Sequence, residues 1–416
     1  MKQIIQSFKS GETILVDVPR PQVDKGSVLI KTSKTLVSLG TERMLVEFSQ
    51  SNLISKARQQ PDKVRQVYDK IRSDGLMPTI ETVFRKLEEP IPLGYCNVGK
   101  VLEVGDNVSD IRIGDRVASN GPHAEYVCVP KNLVAKIPDE VSDEEACFTV
   151  IGAVGLQGVR LLKPNFGETY VVIGLGLIGL ITVQLLIGNG CKVIGIDIDD
   201  TKLKLAEGMG VITFNPSKEG DPIRFVHNKT DNHGADGCII TASTKTNKVI
   251  SESAKMARKR GKIILVGVVG LNLNRSDFYE KELSFQVSCS YGPGRYDAEY
   301  EQCGIDYPYA FVRWTERRNF QAILSAIASK TIDVTSLISQ ITDIEDYNEV
   351  YSSIKGSATL APILDYSERD SSSSSLTIEL KKNKFENCKG CIGIIGSGNY
   401  TKMTMLPLLK EGNSKI

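Results

Sequence analysis

Short apolar runs alternate with longer mixed stretches through the middle of the chain, at residues 170–173, 192–197, 211–214, 237–241, 262–268 and 283–288. These runs are rich in Val and Ile and bounded by Gly, Asn or Asp, which is the make-up of strands buried on both faces. Residues 200–208 and 247–257 carry helical spacing and fall between runs. Strand and helix in this rhythm predict a parallel, doubly wound sheet over about 146–288. The basic stretch 255–262 is expected at a helix C-terminus, where cations offset the helix dipole. Residues 1–145 read differently. Runs such as 27–32, 99–104 and 124–130, punctuated by Gly and Pro, predict a compact β domain. Residues 42–89 interrupt it with Lys, Arg, Gln and Glu, and place Val64, Val67 and Ile71 at helical spacing. That interruption is either a lid or a solvated helical decoration.

Past the alternating region, Tyr291, Tyr296, Tyr300, Tyr307, Tyr309 and Trp314 are interleaved with Arg295, Arg313, Arg317 and Arg318. Residues 367–388 open with a serine run and read as a flexible linker. Then Cys391-Ile392-Gly393-Ile394-Ile395-Gly396-Ser397-Gly398 forms another strand entering a glycine turn, with helical spacing at 403–410. One strand and one helix cannot bury a core, so 389–416 is expected to be the incomplete start of a second such domain.

Composition narrows the partners. With 51 Lys and Arg against 50 Asp and Glu, no basic excess points to nucleic acid or anionic lipid, and neither partner is expected. Residues 170–187 are apolar enough to suggest a membrane helix, but their glycines and Gln184 fit a buried strand and helix better. Nine cysteines behind a start with no apolar export segment imply a reducing, cytoplasmic setting. Cys388 and Cys391 are a single pair with no second pair to complete a metal array.

The chemistry concentrates at Val171-Val172-Ile173-Gly174-Leu175-Gly176-Leu177-Ile178-Gly179, a β-branched strand running into Gly-x-Gly-x-x-Gly. Such a turn needs Gly174 for tightness, Gly176 for close approach of a pyrophosphate and Gly179 for helix-on-strand packing. The next strand ends on Asp197, an acceptor for a ribose hydroxyl. This is a dinucleotide site, and Asp199 and Asp200 beside Asp197 favour NAD over NADP by repelling a 2′-phosphate.

Four local patterns give residues 1–366 a resemblance to the medium-chain dehydrogenase/reductase superfamily. They are Gly40-Thr41-Glu42; residues 94–99 leading into Val101-Leu102-Glu103-Val104-Gly105 and Ile113-Gly114-Asp115-Arg116-Val117; Ala124-Glu125-Tyr126-Val127 with Pro130; and the glycine turn with Asp197. The resemblance implies an α/β fold with a GroES-like β domain, from 1–145 and 289–366 with a helical insertion at about 42–90. It also implies a Rossmann doubly wound parallel sheet over 146–288. The cofactor contacts it implies are Gly174, Gly176, Leu177, Ile178, Gly179, Asp197, Lys202, Thr241, Val266 and Gly267. The tail resembles the start of a Gfo/Idh/MocA domain, and the whole is similar to a truncated bi-domain oxidoreductase of the kind found in surface-polysaccharide gene clusters.

The zinc-dependent relatives place a cysteine before the Gly-Thr turn, a His-Glu pair after the next glycine, and a Cys or Glu ahead of the Rossmann domain. Here those places hold Leu39, Tyr95 with Cys96, and about Val150. A tetrahedral site cannot be assembled from them, so the expectation is no zinc and no metal ligands. Hydride chemistry then needs a protein proton donor, for which the candidates are Thr41, Tyr95 and, below them, Glu42. Each has a plain structural alternative: a turn-capping threonine, a packed tyrosine, and a buried partner of Arg43 or Arg116. Tyr291, Arg295, Tyr296, Arg313 and Trp314 suit a sugar or anionic substrate, or else seal a dimer surface. The expected function is NAD-dependent oxidation or reduction of a hydroxyl or ketone on a sugar or nucleotide sugar, by a homo-oligomer. Double-bond reduction and a non-catalytic nucleotide-binding protein are the alternatives.

Overall fold

The computed structural model describes residues 1–8, 10–50, 90–353, 359–366, 394–396, 398 and 400–411. The expected insertion beyond Gln50, the serine run and the Cys388–Cys391 pair lie outside these residues.

Chain turns at Gly and Pro fold the N-terminal runs back on one another as β1 (Lys2–Gln6), β2 (Thr13–Asp17), β3 (Ser27–Leu36), β4 (Ile91–Pro92), β5 (Asn97–Val104), β6 (Arg116–Ser119), β7 (Tyr126–Pro130) and β8 (Val134–Lys136). β3 is almost wholly buried and is the axis of the larger sheet, pairing antiparallel with both β5 and β7. Helix α1 (Leu39–Gln50) leaves directly from its end. Helix α2 (Thr149–Leu162) then carries the chain into the second layer.

There β9 (Thr169–Ile173), β10 (Lys192–Ile196), β11 (Ile212–Phe214), β12 (Ala235–Ile240), β13 (Ala257–Leu265) and β14 (Ser284–Val287) lie in the order β11-β10-β9-β12-β13-β14. Every pairing in this sheet is parallel. Parallel neighbours need crossovers, and α3 (Leu177–Gly188), α4 (Asp200–Gly208), α5 (Pro222–Lys229), α6 (Lys248–Met256) and a short helix at Arg275–Tyr279 supply them. The strand order reverses between β9 and β12, which opens a crevice at their C-terminal ends. This is the α/β architecture expected, a GroES-like β layer beside a Rossmann sheet.

After α7 (Glu316–Ala328) the chain returns to the first sheet as β15 (Ile338–Asp343) and β16 (Ala361–Asp365), with β16 antiparallel to β3. One continuous core joins the two sheets, from Val28 and Ile30 through Ile151 and Phe320 to Val172 and Ile264. Residues Met1–Leu376 form one compact unit and Thr377–Ile416 a second. In the second, a π-helical turn at Thr401–Met405 runs into a helix at Leu406–Glu411. No helix among the described residues is long and apolar enough to cross a membrane.

One expectation is corrected here. The basic stretch 255–262 belongs mostly to β13, because α6 stops at Met256 and Arg258 is drawn across to Asp236 at 2.6 Å on the neighbouring strand. The cation that serves the end of α6 is Lys281, whose Nζ donates to the carbonyls of Ala254, Lys255 and Ala257 at 3.1, 2.6 and 2.7 Å.

The crevice is tight at Gly174, at φ +94°, where a Cβ would lie 2.6 Å from the Ala242 backbone nitrogen. Gly174→Ala is therefore expected to lower stability by at least about 1–3 kcal/mol, the strain of a left-handed non-glycine residue, read by equilibrium urea unfolding. An unchanged midpoint would refute the account of this turn.

Candidate active site

A cavity of about 400 Å³ opens where β9 and β12 part. Gly176, Leu177, Ile178 and Gly179 from the β9–α3 turn, Lys202 of α4, Thr241 after β12, and Val266 and Gly267 after β13 all line it. A Cβ at Gly176 would meet nothing within 4 Å, so the turn faces free space at the N-terminus of α3. Backbone N–H groups and the helix dipole there suit a pyrophosphate. Gly174 and Asp197 stand just behind the lining. The Thr241 hydroxyl donates to the Gly174 carbonyl. Asp197 accepts from the backbone N–H of Leu175 at 2.6 Å and of Asp199 at 2.9 Å, which fixes its carboxylate at the end of β10. Its acidic neighbours are not free charges. Asp199 caps α4 and lies 3.5 Å from Lys202, and Asp200 pairs with Lys218.

The first sheet contributes Ser38 and Thr41 to the same cavity, from the start of α1. Tyr95 does not line it but ties the two together: its hydroxyl donates to Ser38 Oγ at 2.7 Å and lies 3.3 Å from Thr41 Oγ1. Burial pushes the Tyr95 phenol well above its ordinary value, so it keeps its proton throughout the physiological range.

Glu42 has partners other than those expected from the sequence. Arg43 is taken by Glu47 at 2.7 Å and Arg116 by Asp143 at 3.0 Å. The Glu42 carboxylate, 1% exposed, instead accepts from the Ser38 backbone N–H at 2.9 Å and from the Tyr351 hydroxyl, and sits 3.3 Å from His123 Nε2. His123 Nδ1 meets Thr35 Oγ1 at 2.7 Å, and Thr35 meets the Tyr366 hydroxyl at 3.1 Å. Gly94 makes room for the imidazole, since a Cβ at its φ of +88° would lie 2.6 Å from the ring. This buried cluster anchors the beginning of α1 behind Ser38 and Thr41. Of its members, sequence reasoning singled out Glu42 and missed Ser38 and His123; the scarcity of histidine in the chain was the available signal.

The aromatic and arginine candidates gather elsewhere, and none of the five lines the cavity. Tyr291 is buried against Phe320, accepts from Asn120 Nδ2 at 3.2 Å, and has its hydroxyl pushed up to about 12 by burial. Arg295 pairs with Glu301 at 2.6 Å and lies 4.3 Å from the ring centroid of the exposed Tyr296. Arg313 and Trp314 stack on each other near Arg160. Beside them, Glu316 at the start of α7 is 0% exposed, and neither carboxylate oxygen has a hydrogen-bond partner among the described residues.

A crevice of this kind at the switch point of a parallel sheet, joined by hydroxyls from a GroES-like layer, defines the class of two-domain, dinucleotide-binding oxidoreductase folds. Residues 178–303 match the family model for zinc-binding dehydrogenase, and residues 70–139 match that for the alcohol dehydrogenase GroES-like domain. The (R,R)-butanediol dehydrogenase of Bacillus subtilis (strain 168) is 26% identical over 223 residues, 46% of this chain and 64% of that protein. The alcohol dehydrogenase of Geobacillus stearothermophilus is 29% identical over 218 residues, 44% of this chain and 62% of that protein. The chain thus spans less than two thirds of the length of either relative. The solved alcohol dehydrogenase TADH from Thermus sp. ATN1 shares the fold with a TM-score of 0.67 at 18% identity, over 88% of this chain and 99% of that one. These matches support the medium-chain dehydrogenase/reductase superfamily for this chain.

They also correct the expectation that no zinc is used, because the family model matched over residues 178–303 is that of zinc-binding dehydrogenase. Among the described residues no group of three or more His, Cys, Asp or Glu is placed to hold a metal. Cys96 is 1% exposed, and burial holds it as a thiol. The described side chains therefore do not fit a resident zinc.

Glu316 gives this region a pH signature. Burial, and then the charge of Glu301, raise its carboxyl from an ordinary 4.5 to about 8, so the native chain holds a proton that the unfolded chain releases. Its contribution to stability is intact below the ordinary value and is lost as pH rises through the folded one. Glu316→Gln is expected to match the parent near pH ~4, to be more stable at pH ~9, and to flatten the profile between, measured by urea unfolding across pH. Parallel profiles for the two proteins would overturn this.

Proposed function

We propose that this chain is a nicotinamide-dinucleotide-dependent dehydrogenase that interconverts a secondary hydroxyl and a ketone on a sugar or nucleotide sugar. The observation that carries the reading is the sharing of one cavity by the glycine turn and the hydroxyls of Ser38 and Thr41. When bound, the nicotinamide supplies hydride acceptance or donation. The turn at Gly176–Gly179 and the N-terminus of α3 hold the pyrophosphate, and Asp197 accepts from the ribose. Ser38 and Thr41 orient the reacting oxygen. Tyr95, kept protonated by burial, holds a proton at its phenol oxygen within hydrogen-bonding reach of both. Glu42 and His123 act behind them as positioning residues. The names of the curated relatives, a butanediol dehydrogenase and an alcohol dehydrogenase, support hydroxyl oxidation as the reaction. The reading extends to a homo-oligomeric bi-domain oxidoreductase of surface-polysaccharide synthesis, on the likeness of the tail.

The test is turnover of sugars, polyols, simple diols and nucleotide sugars with NAD, against a panel of enones with NADH. Activity on the enones alone would replace this reading with double-bond reduction. Tyr95→Phe is expected to lower kcat by about 100-fold with KM little changed, as for loss of a proton-transfer group. Asp197→Ala is expected to weaken NADH binding by about 10–100-fold, the loss of one charged hydrogen-bond acceptor, measured by fluorescence titration.

A further inference from the structure

Among the described residues the cavity is lined by two cations, Arg43 and Lys202, and by no acid. Lys202 belongs to the wall that carries the glycine turn, and Asp199 lies 3.5 Å from its Nζ. Arg43 stands on the wall contributed by the first sheet, in α1, two positions beyond Thr41. Glu42, between them, is turned into the buried cluster with His123. Met44, Thr359 and Leu360 beside Arg43 are uncharged, so the charge this wall presents to the cavity is that of Arg43. Its present partner is a weak one. Arg43 Nε donates to Glu47 Oε1 at 2.7 Å with the two side chains 48% and 50% exposed, and Arg ahead of Glu is the less favourable order for such a pair on a helix. A cation in the first turns of a helix also opposes its dipole, so Arg43 adds little to α1 itself. The dinucleotide does not require it either, since the amides of the β9–α3 turn and Lys202 already face the other wall.

We propose that Arg43 recognises a phosphoryl group borne by the substrate, so that the sugar handled in this cavity is a phosphorylated one, either a sugar phosphate or a nucleotide sugar. The inference rests on the dehydrogenase reading for what the substrate undergoes, and on Arg43 for what it carries. A guanidinium fork engages phosphate through two parallel hydrogen bonds, and a charge of about −1.5 to −2 suits a wall that offers a cation and no acid. Thr41 and Arg43 are about 3 Å apart along the helix axis, at 1.5 Å per residue. The same turns of α1 that orient the reacting oxygen thus hold an anion a few atoms away on the same molecule. Arg43 sets specificity and takes no part in the hydride step.

The test is calorimetric titration of the full-length chain with glucose, glucose 1-phosphate and UDP-glucose in excess NADH, whose own binding is followed by its fluorescence. At least one phosphorylated ligand is expected to bind about tenfold or more tightly than glucose. Arg43→Gln should reduce that preference by about tenfold, the loss of one charge-assisted pair, and Arg43→Lys should restore part of it. Glu47→Gln removes the competing carboxylate from outside the cavity lining and should tighten the phosphorylated ligand by about twofold. Tighter binding of glucose 1-phosphate marks a sugar phosphate and tighter binding of UDP-glucose a nucleotide sugar; both support the site. No preference for either phosphorylated ligand, or a preference unmoved in Arg43→Gln with its circular dichroism intact, would overturn it. Loss of NADH affinity in Arg43→Gln with the preference unmoved would also overturn it, assigning Arg43 to the dinucleotide. An Arg43-dependent preference in a chain that binds no NADH would instead sink the dehydrogenase reading and leave the phosphoryl site standing.

Discussion

The contact of Gly174 with the backbone of Ala242 governs the geometry of the cavity. Two parallel strands that diverge can approach this closely only without a side chain between them, and a Cβ at Gly174 would stand 2.6 Å from Ala242 N. From that contact the rest follows in order. The chain turns, the Leu175 amide reaches Asp197 at 2.6 Å, and α3 begins with Gly176 facing open space. Thr241, next to Ala242, closes the same junction by donating to the Gly174 carbonyl. A dinucleotide site is thus a by-product of how β9 and β12 separate, and the residues that seem to bind are placed by residues that only pack.

The opposite wall is held by a different kind of constraint. Glu42 and His123 are almost without solvent, and a buried carboxylate is stable only when its lone pairs are answered. The Ser38 amide, the Tyr351 hydroxyl and the imidazole answer them, drawing two distant parts of the chain, at His123 and Tyr351, onto the first turns of α1. Ser38 and Thr41 inherit their positions from this arrangement.

How much of this was legible depended on whether the signal was local. The strands of the parallel sheet, the glycine turn and the terminal Asp197 lie within short windows, and period and residue type suffice to find them. The partners of Glu42 do not. Arg43 and Arg116 looked natural from charge and proximity, but the acid bonded instead to Tyr351, 309 positions away. The acidic trio at 197–200 also read as bare charge, because Lys218 reaches Asp200 from the far side of β11. The zinc expectation failed for another reason: it rested on three positions, whereas the family match extends over much of both domains. Tyr291 and Trp314 were legible as chemically rich residues, but their distance from the cavity lining depends on tertiary packing that no window contains.

The return of β16 to the side of β3 has a consequence for how the chain comes to be folded. Thr35 and Tyr366 meet across 331 positions of sequence, and β16 lies between β3 and β15 within the first sheet. During synthesis, the Lys34–Leu36 end of β3 must wait for its β16 partner while the entire parallel sheet is made and released. The parallel sheet, continuous from Thr169 to Val287, has all its strands in hand much earlier. Order of emergence therefore favours the second layer as the first to close, with the N-terminal sheet completed on a scaffold already formed, and makes the Lys34–Leu36 end of β3 the point at which a nascent chain is open to mispairing.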